Sequence, residues 1–100
     1  MYFSKNDDMD SREITMPDSF VSGQQQDFIE IVDKFKSTDL KTLILNFSQT
    51  KKIDSAGLGF LLIARSETSK SKRKLILRNP TTHIKKSFEI MNFNKIFVID

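Results

Sequence analysis

Cysteine is absent from the 100-residue chain, which removes a disulfide framework, thiolate chemistry and any cysteine-based metal site. There is one histidine, His83. It has no Cys or His neighbour to complete a metal site, so no metal or cofactor is expected. A Ser–His–Asp triad would need His83 to act as base for Ser55. The residues around Ser55 do not form the Gly-x-Ser-x-Gly elbow of hydrolases, and no enzyme activity is expected. The three glycines do not make a phosphate loop, because Gly57-x-Gly59 is too short for either nucleotide fingerprint. No apolar run approaches a membrane span. The N-terminal residues Met-Tyr-Phe-Ser-Lys-Asn-Asp-Asp carry no signal-peptide pattern, so a cytoplasmic location without membrane insertion is expected.

What is present fits one globular domain over residues 1–100. The 38% hydrophobic and 29% charged content is ordinary for a soluble protein. The net charge of +3 is uneven, with −5 in residues 1–30 and +8 in residues 31–100. The densest basic stretch is Arg65, Lys70, Lys72, Arg73, Lys74 and Arg78. It contains no aromatic residue to stack on bases. It also coincides with an expected helix end, where cations are favourable. It reads as a solvated helix end and turn, and no direct nucleic-acid partner is expected. A strong, salt-dependent affinity for DNA or RNA would favour the rival reading.

Elements follow from periodicity. Tyr2-Phe3 begins a short first strand, and Asn6–Asp10 reads as an acidic turn. Arg12–Met16 alternates like an edge strand that Pro17 ends, and Pro17-Asp18-Ser19 reads as a turn. Ser22 is the expected N-cap of a helix reaching about Phe35 or Lys36, with Phe28, Ile31, Val32 and Phe35 as its apolar stripe. Thr42–Phe47 is nearly continuously apolar, as expected of a central strand covered on both faces. Ser48–Lys52 is a polar loop. A second helix covers about Ala56–Ser69. Its wide apolar surface (Leu58, Phe60, Leu61, Leu62, Ile63, Ala64) implies burial on more than one side, or burial plus a partner surface. Lys74–Arg78 is a second central strand. A third helix covers about Thr82–Met91, with Ile84, Phe88 and Met91 inward, and Phe93–Ile99 holds a last short strand. Alternating strands and helices give an α/β layer structure with a mixed sheet.

The informative stretch is Ile53-Asp54-Ser55-Ala56-Gly57-Leu58-Gly59. Asp54 or Ser55 is the N-cap of the second helix, accepting a first-turn amide. Two glycines near a helix start, each costing roughly 0.8–1 kcal/mol against alanine in a helix interior, suggest that another surface comes close to the backbone. Ser55 then sits exposed at the positive end of a helix dipole. A phosphate there would add about −1.5 to −2 charge. The helix terminus tolerates that anion; a partner packed flat on the glycines would not. A plain serine cap on a core helix fits the local residues equally well. Ser48 and Thr50, in the loop before, are second candidates for modification.

Asp-Ser-Ala-Gly-Leu-Gly, after an apolar strand and before an apolar helix, resembles the signature of STAS domains. It is most similar to that of bacterial anti-sigma factor antagonists in partner-switching pathways. The resemblance covers about Lys41–Asp100. It implies a mixed four- to five-stranded sheet with about three helices mainly on one face. It also implies a phospho-switch in which Ser55 is the phosphorylated residue. Ser48, Thr50, Ile53, Asp54, Ala56, Gly57, Leu58 and Gly59 would then form the partner-binding surface. The implied partners are an ATP-binding serine kinase that is also the anti-sigma factor, and a PP2C-like phosphatase. Antagonists commonly carry an acidic residue where the second strand meets the first helix, whereas Val21 or Ser22 stands there in this chain. The alternative within the same resemblance is a constitutive accessory subunit of an ABC-type lipid transporter. Gly59 favours the antagonist branch.

Overall fold

The computed structural model describes residues 3–100. Seven strands and three α-helices alternate along it. They are β1 (Ser4–Asp7), β2 (Ser11–Thr15), β3 (Ser19–Phe20), α1 (Gln25–Lys36), β4 (Thr42–Asn46), β5 (Lys52–Ile53), α2 (Ser55–Lys70), β6 (Lys74–Arg78), α3 (Thr82–Ile90) and β7 (Val98–Ile99). Single 3₁₀ turns, Ser22–Gln24 and Phe93–Lys95, precede α1 and β7. The main sheet has the order β1-β2-β4-β6-β7. Only the β1–β2 pair is antiparallel. Each parallel step needs a long crossover, and α1, α2 and α3 lie in those crossovers. The expected mixed sheet with three helices is therefore present, with five strands, and β3 and β5 form a separate two-stranded sheet.

Strand register explains why the helices lie on one side. Ile14, Leu45 and Leu77 stand in one row across β2, β4 and β6, and Leu43 and Leu75 stand two residues back on the same face. All five are buried. They pack with Phe28, Val32 and Phe35 of α1, Phe60, Leu61 and Ala64 of α2, and Ile84 and Phe88 of α3 in one core cluster. Fully burying each such side chain is worth about 1.5–3 kcal/mol. On the opposite face, Glu13, Asn46 and Arg78 hold one another: Asn46 Nδ2 donates to Glu13 at 2.7 Å and Arg78 Nη1 at 3.2 Å.

Phe20 links the small sheet to the helices. Its ring meets Phe28 at 5.0 Å and Phe60 at 5.7 Å, both edge-on. Such pairs add about 0.5–1.5 kcal/mol beyond area burial. They fix β3, and through it β5 and the start of α2.

Several expectations are corrected. Asn6 and Asp7 belong to β1, not to a turn. The strand is wholly exposed, so apolar patterning gave no sign of it; it is held by β2 and by Arg12 gripping Asp7 at 2.7 and 3.0 Å. Tyr2 lies outside the described residues. The second strand is not at the edge, because β1 covers it. Ser19 belongs to β3, which shortens the expected turn. Ser22 is not the cap of α1; it opens a 3₁₀ turn in which the Gln24 side chain accepts the Val21 amide at 2.9 Å. Met91 sits just past α3 and is exposed. The last strand shrinks to Val98–Ile99 because Phe93–Lys95 coil first.

The basic stretch is largely engaged inside the fold. Arg73 donates to the carbonyls of Phe35 and Thr38, both at 2.8 Å, and its guanidinium lies 5.2 Å from the centre of the Phe35 ring. Arg65 donates to the Ile96 carbonyl at 2.9 Å, Lys70 pairs with Glu67, and Arg78 with Glu13 and Asp100. Arg73→Ala is expected to cost about 2–3 kcal/mol, since charge-assisted hydrogen bonds and a cation–π contact are lost together. Urea unfolding measures it, and a cost below about 0.5 kcal/mol, the range of an ordinary surface change, would refute this role for Arg73.

Hydrogen bonding from the Arg12 guanidinium holds the Asp7 carboxyl below the usual carboxylate range. A carboxyl with a lowered folded-state pKa adds stability that is present above its unfolded pKa. That stability is lost as pH falls through the folded value. Asp7→Asn is therefore expected to flatten the acid limb of the stability curve, between about pH 5 and pH 1, and to leave its slope near neutrality unchanged. Chemical denaturation across that range gives the test; parallel curves for both proteins would refute it.

Candidate functional site

The site is assembled where β5, α2, β3 and the Ser22–Gln24 turn meet. β5 pairs with β3 in parallel, Ser19 against Lys52 and Phe20 against Ile53. The carbonyl of Asp18 accepts the amides of Lys51 and Lys52 at 2.7 and 3.0 Å, which fixes the loop before β5. Ile53 is half-buried against the core.

Asp54 is the N-cap of α2. Its Oδ1 accepts the Gly57 amide at 2.8 Å. Its Oδ2 accepts the Ser22 amide at 3.2 Å, across 32 residues of sequence. One carboxylate thus caps one first-turn amide of α2 and ties the helix to the entry of α1. Because Asp54 is the cap, Ser55 is the first residue inside the helix, and it is exposed. Its hydroxyl makes no hydrogen bond among the described residues, and the first-turn amides beside it lack intrahelical acceptors. Ser55 can therefore be reached from outside, and an anion attached to it would meet the positive end of a 16-residue helix.

The two glycines differ in role. A Cβ on Gly57 would lie 2.2 Å from the Phe20 carbonyl oxygen and 2.9 Å from Ile53 Cγ1. Gly57 is thus required by the domain's own packing. A Cβ on Gly59 would meet nothing within 4 Å. Nothing inside the fold accounts for a glycine there, so the idea of an approaching outside surface rests on Gly59 alone. Gly59→Ala is expected to raise stability by about 1 kcal/mol through helix propensity. Thermal melts check this, and a lowered Tm would refute it.

The other predicted residues divide by accessibility. Ser48 is exposed, and Ala56 and Leu58 are half-buried. Thr50 is fully buried; its hydroxyl donates to the Pro17 carbonyl at 2.8 Å, and its carbonyl accepts from Thr81 Oγ1 at 3.4 Å. Thr50 therefore anchors the loop to β2's end and to the start of α3. On the outer side of α2, Leu62 and Ile63 are 41% and 43% exposed, so the apolar width seen in the sequence is not all consumed by the core. Gln24 and the Phe20 carbonyl were not picked out from sequence, and Ser22 only as a helix cap, because each contributes through the backbone or across a long separation. Among the described residues no group of acids, His or Cys is placed to hold a metal, and no helix is long and apolar enough to cross a membrane. Two surface grooves, about 590 and 580 Å³, contain no residue between 48 and 59.

Comparison with known proteins gives a family and a fold. The STAS domain model matches residues 15–100, reaching further toward the N-terminus than the resemblance around Lys41–Asp100. No curated protein sequence matches the chain. Among solved structures, the unphosphorylated anti-sigma factor antagonist SpoIIAA superposes with a TM-score of 0.83 at 20% identity, over 99% of this chain and 88% of that one. A Thermotoga maritima protein put forward as an anti-sigma factor antagonist gives 0.86 at 21% identity, over 97% and 84%. The phosphorylated form of the Bacillus cell fate determinant SpoIIAA gives 0.68 at 17% identity, over 99% and 91%.

Proposed function

The chain belongs to the STAS domain family, and from that premise we propose that it is a non-enzymatic phospho-switch of the anti-sigma factor antagonist type. Unphosphorylated, it docks through Ser55, Ala56, Leu58 and Gly59 and the neighbouring residues Ser48 and Ile53. Its partner is an ATP-binding serine kinase that also serves as an anti-sigma factor. Phosphorylation of Ser55 places a dianion inside the contact and releases the pair, and a PP2C-like phosphatase resets it. Asp54 holds the loop so that the Ser55 hydroxyl faces outward; Gly57 and Thr50 keep that loop in place from within.

The observation that carries this reading is the state of Ser55: exposed, with its hydroxyl uncommitted, in the first turn of a helix whose cap is its neighbour Asp54. Support comes also from fold neighbours in both unphosphorylated and phosphorylated forms. Affinity capture from the native host tests it, with wild type, Ser55→Ala and Ser55→Asp side by side and mass spectrometry of what is retained. A serine kinase-like protein is expected with wild type and Ser55→Ala and not with Ser55→Asp. Equal capture by all three would reduce Ser55 to an ordinary first-turn residue.

A further inference from the structure

Two lysines lie just before Ser55 and form no ion pair among the described residues. Lys51 and Lys52 are exposed. They stand four and three positions before Ser55, and their backbone amides are bound to the Asp18 carbonyl. Arg12, Lys36, Lys70 and Arg78 pair with carboxylates and Arg65 and Arg73 are used on carbonyls, whereas the remaining lysines, like these two, form no ion pair among the described residues. Asp54, the nearest acid along the chain, and Asp18, whose carbonyl holds their amides, form no ion pair with Lys51 or Lys52 among the described residues: Asp54 directs both oxygens to the amides of Gly57 and Ser22, and Asp18 is half-buried.

We propose that the Ser55 surface is electrostatically matched to a protein partner that brings carboxylates to Lys51 and Lys52. The proposal rests on the docking role of that surface. A partner that is apolar or basic at this place would bury two uncompensated cations, which opposes binding. A partner with an acidic edge gains attraction, a fixed orientation and faster encounter. The same lysines would strengthen the switch. A phosphate on Ser55 offers them an intramolecular anion, and it repels the carboxylates that they would otherwise receive.

The test uses the full chain and the protein retained by wild type in the capture experiment, produced separately. Carbodiimide coupling joins an ammonium group directly to a carboxylate without a spacer. Coupling of the complex is expected to link Lys51 or Lys52 to aspartate or glutamate of the partner. Reversing both charges (Lys51→Glu with Lys52→Glu) is expected to slow association about 10- to 100-fold at low salt and to weaken its salt dependence. Both side chains are exposed, so unchanged melting of the double variant serves as the folding control. An association rate within twofold of wild type, or the absence of such cross-links, overturns the proposal. So does lysine-dependent binding to duplex DNA or anionic vesicles without partner cross-links. Ser55→Asp, measured alongside, separates the two ideas. If it blocks binding while the lysine reversal does not, the switch stands and the acidic partner falls. If the lysine reversal slows association while Ser55→Asp binds as wild type, the acidic partner stands and the switch falls. Failure of wild type to retain any protein overturns both.

Discussion

Gly57→Ala is expected to destabilise the domain by about 3 kcal/mol or more, the upper range for overpacking, lowering Tm by roughly 12–24 °C for a chain of this length. The added methyl would stand 2.2 Å from the Phe20 carbonyl oxygen. That atom belongs to backbone, so no rotamer change relieves the contact. The backbone is held in turn: Phe20 pairs with Ile53 in the small sheet, and its ring is buried against Phe28, Phe47 and Phe60. Moving α2 outward instead would stretch the Asp54–Gly57 cap and the Asp54–Ser22 tie. Helix propensity alone predicts the opposite sign, a gain of about 1 kcal/mol. Gly59→Ala isolates that gain, because its methyl meets nothing. Calorimetry of the two variants, which carry one chemical change two residues apart, should show shifts of opposite direction. A Gly57→Ala protein as stable as wild type would mean that α2 and β3 are not packed as closely as described.

How much of this was legible in the sequence depends on how local each cause is. Leu43–Phe47 and Leu75–Leu77 were readable as buried strands because apolar continuity is written into adjacent residues. The cap at Asp54 was readable, at least as one of two neighbours, for the same reason. Its second bond was not, because nothing near Ser22 marks a carboxylate 32 residues away. β1 escaped because Ser-Lys-Asn-Asp has turn-like composition; pairing with β2 and the Arg12–Asp7 grip override that propensity. β3 and β5 escaped because two residues carry no period. Thr50 reads in the sequence as a second candidate for modification and as part of the partner-binding surface, yet it is buried and holds the loop to Pro17. Gly57 and Gly59 were indistinguishable as letters. Only the position of the Phe20 carbonyl separates a glycine that the fold requires from one that it does not. The motif therefore marks the candidate site, and tertiary distances separate the residues that the fold requires there from those that it does not.

Phosphorylation of Ser55, and to a lesser degree Ser55→Asp, is expected to weaken partner binding by about 100- to 1,000-fold, or roughly 3–4 kcal/mol, while leaving the melting temperature nearly unchanged. The two halves of this prediction have separate causes. Within the free domain, the new charge lies in the first turn of α2, where an anion is stabilising by about 0.3–1 kcal/mol. Asp54 opposes this as a neighbouring carboxylate, but both its oxygens are already bound by amides. The side chain is exposed, so the anion keeps its water. In the proposed complex, that water must be removed where the partner packs closely on the small residues Ala56 and Gly59. Desolvation and any facing carboxylate then act together against binding, and misplaced charge in an interface costs several kcal/mol. The dianion should exceed the carboxylate, since Ser55→Asp supplies one charge and phosphate supplies about −1.5 to −2. Titration calorimetry of the purified pair, with melts of each variant, measures both halves. A loss of affinity accompanied by a Tm drop of several degrees would point to a disrupted fold instead of a blocked surface. Affinity unchanged by full phosphorylation would remove Ser55 from the contact altogether.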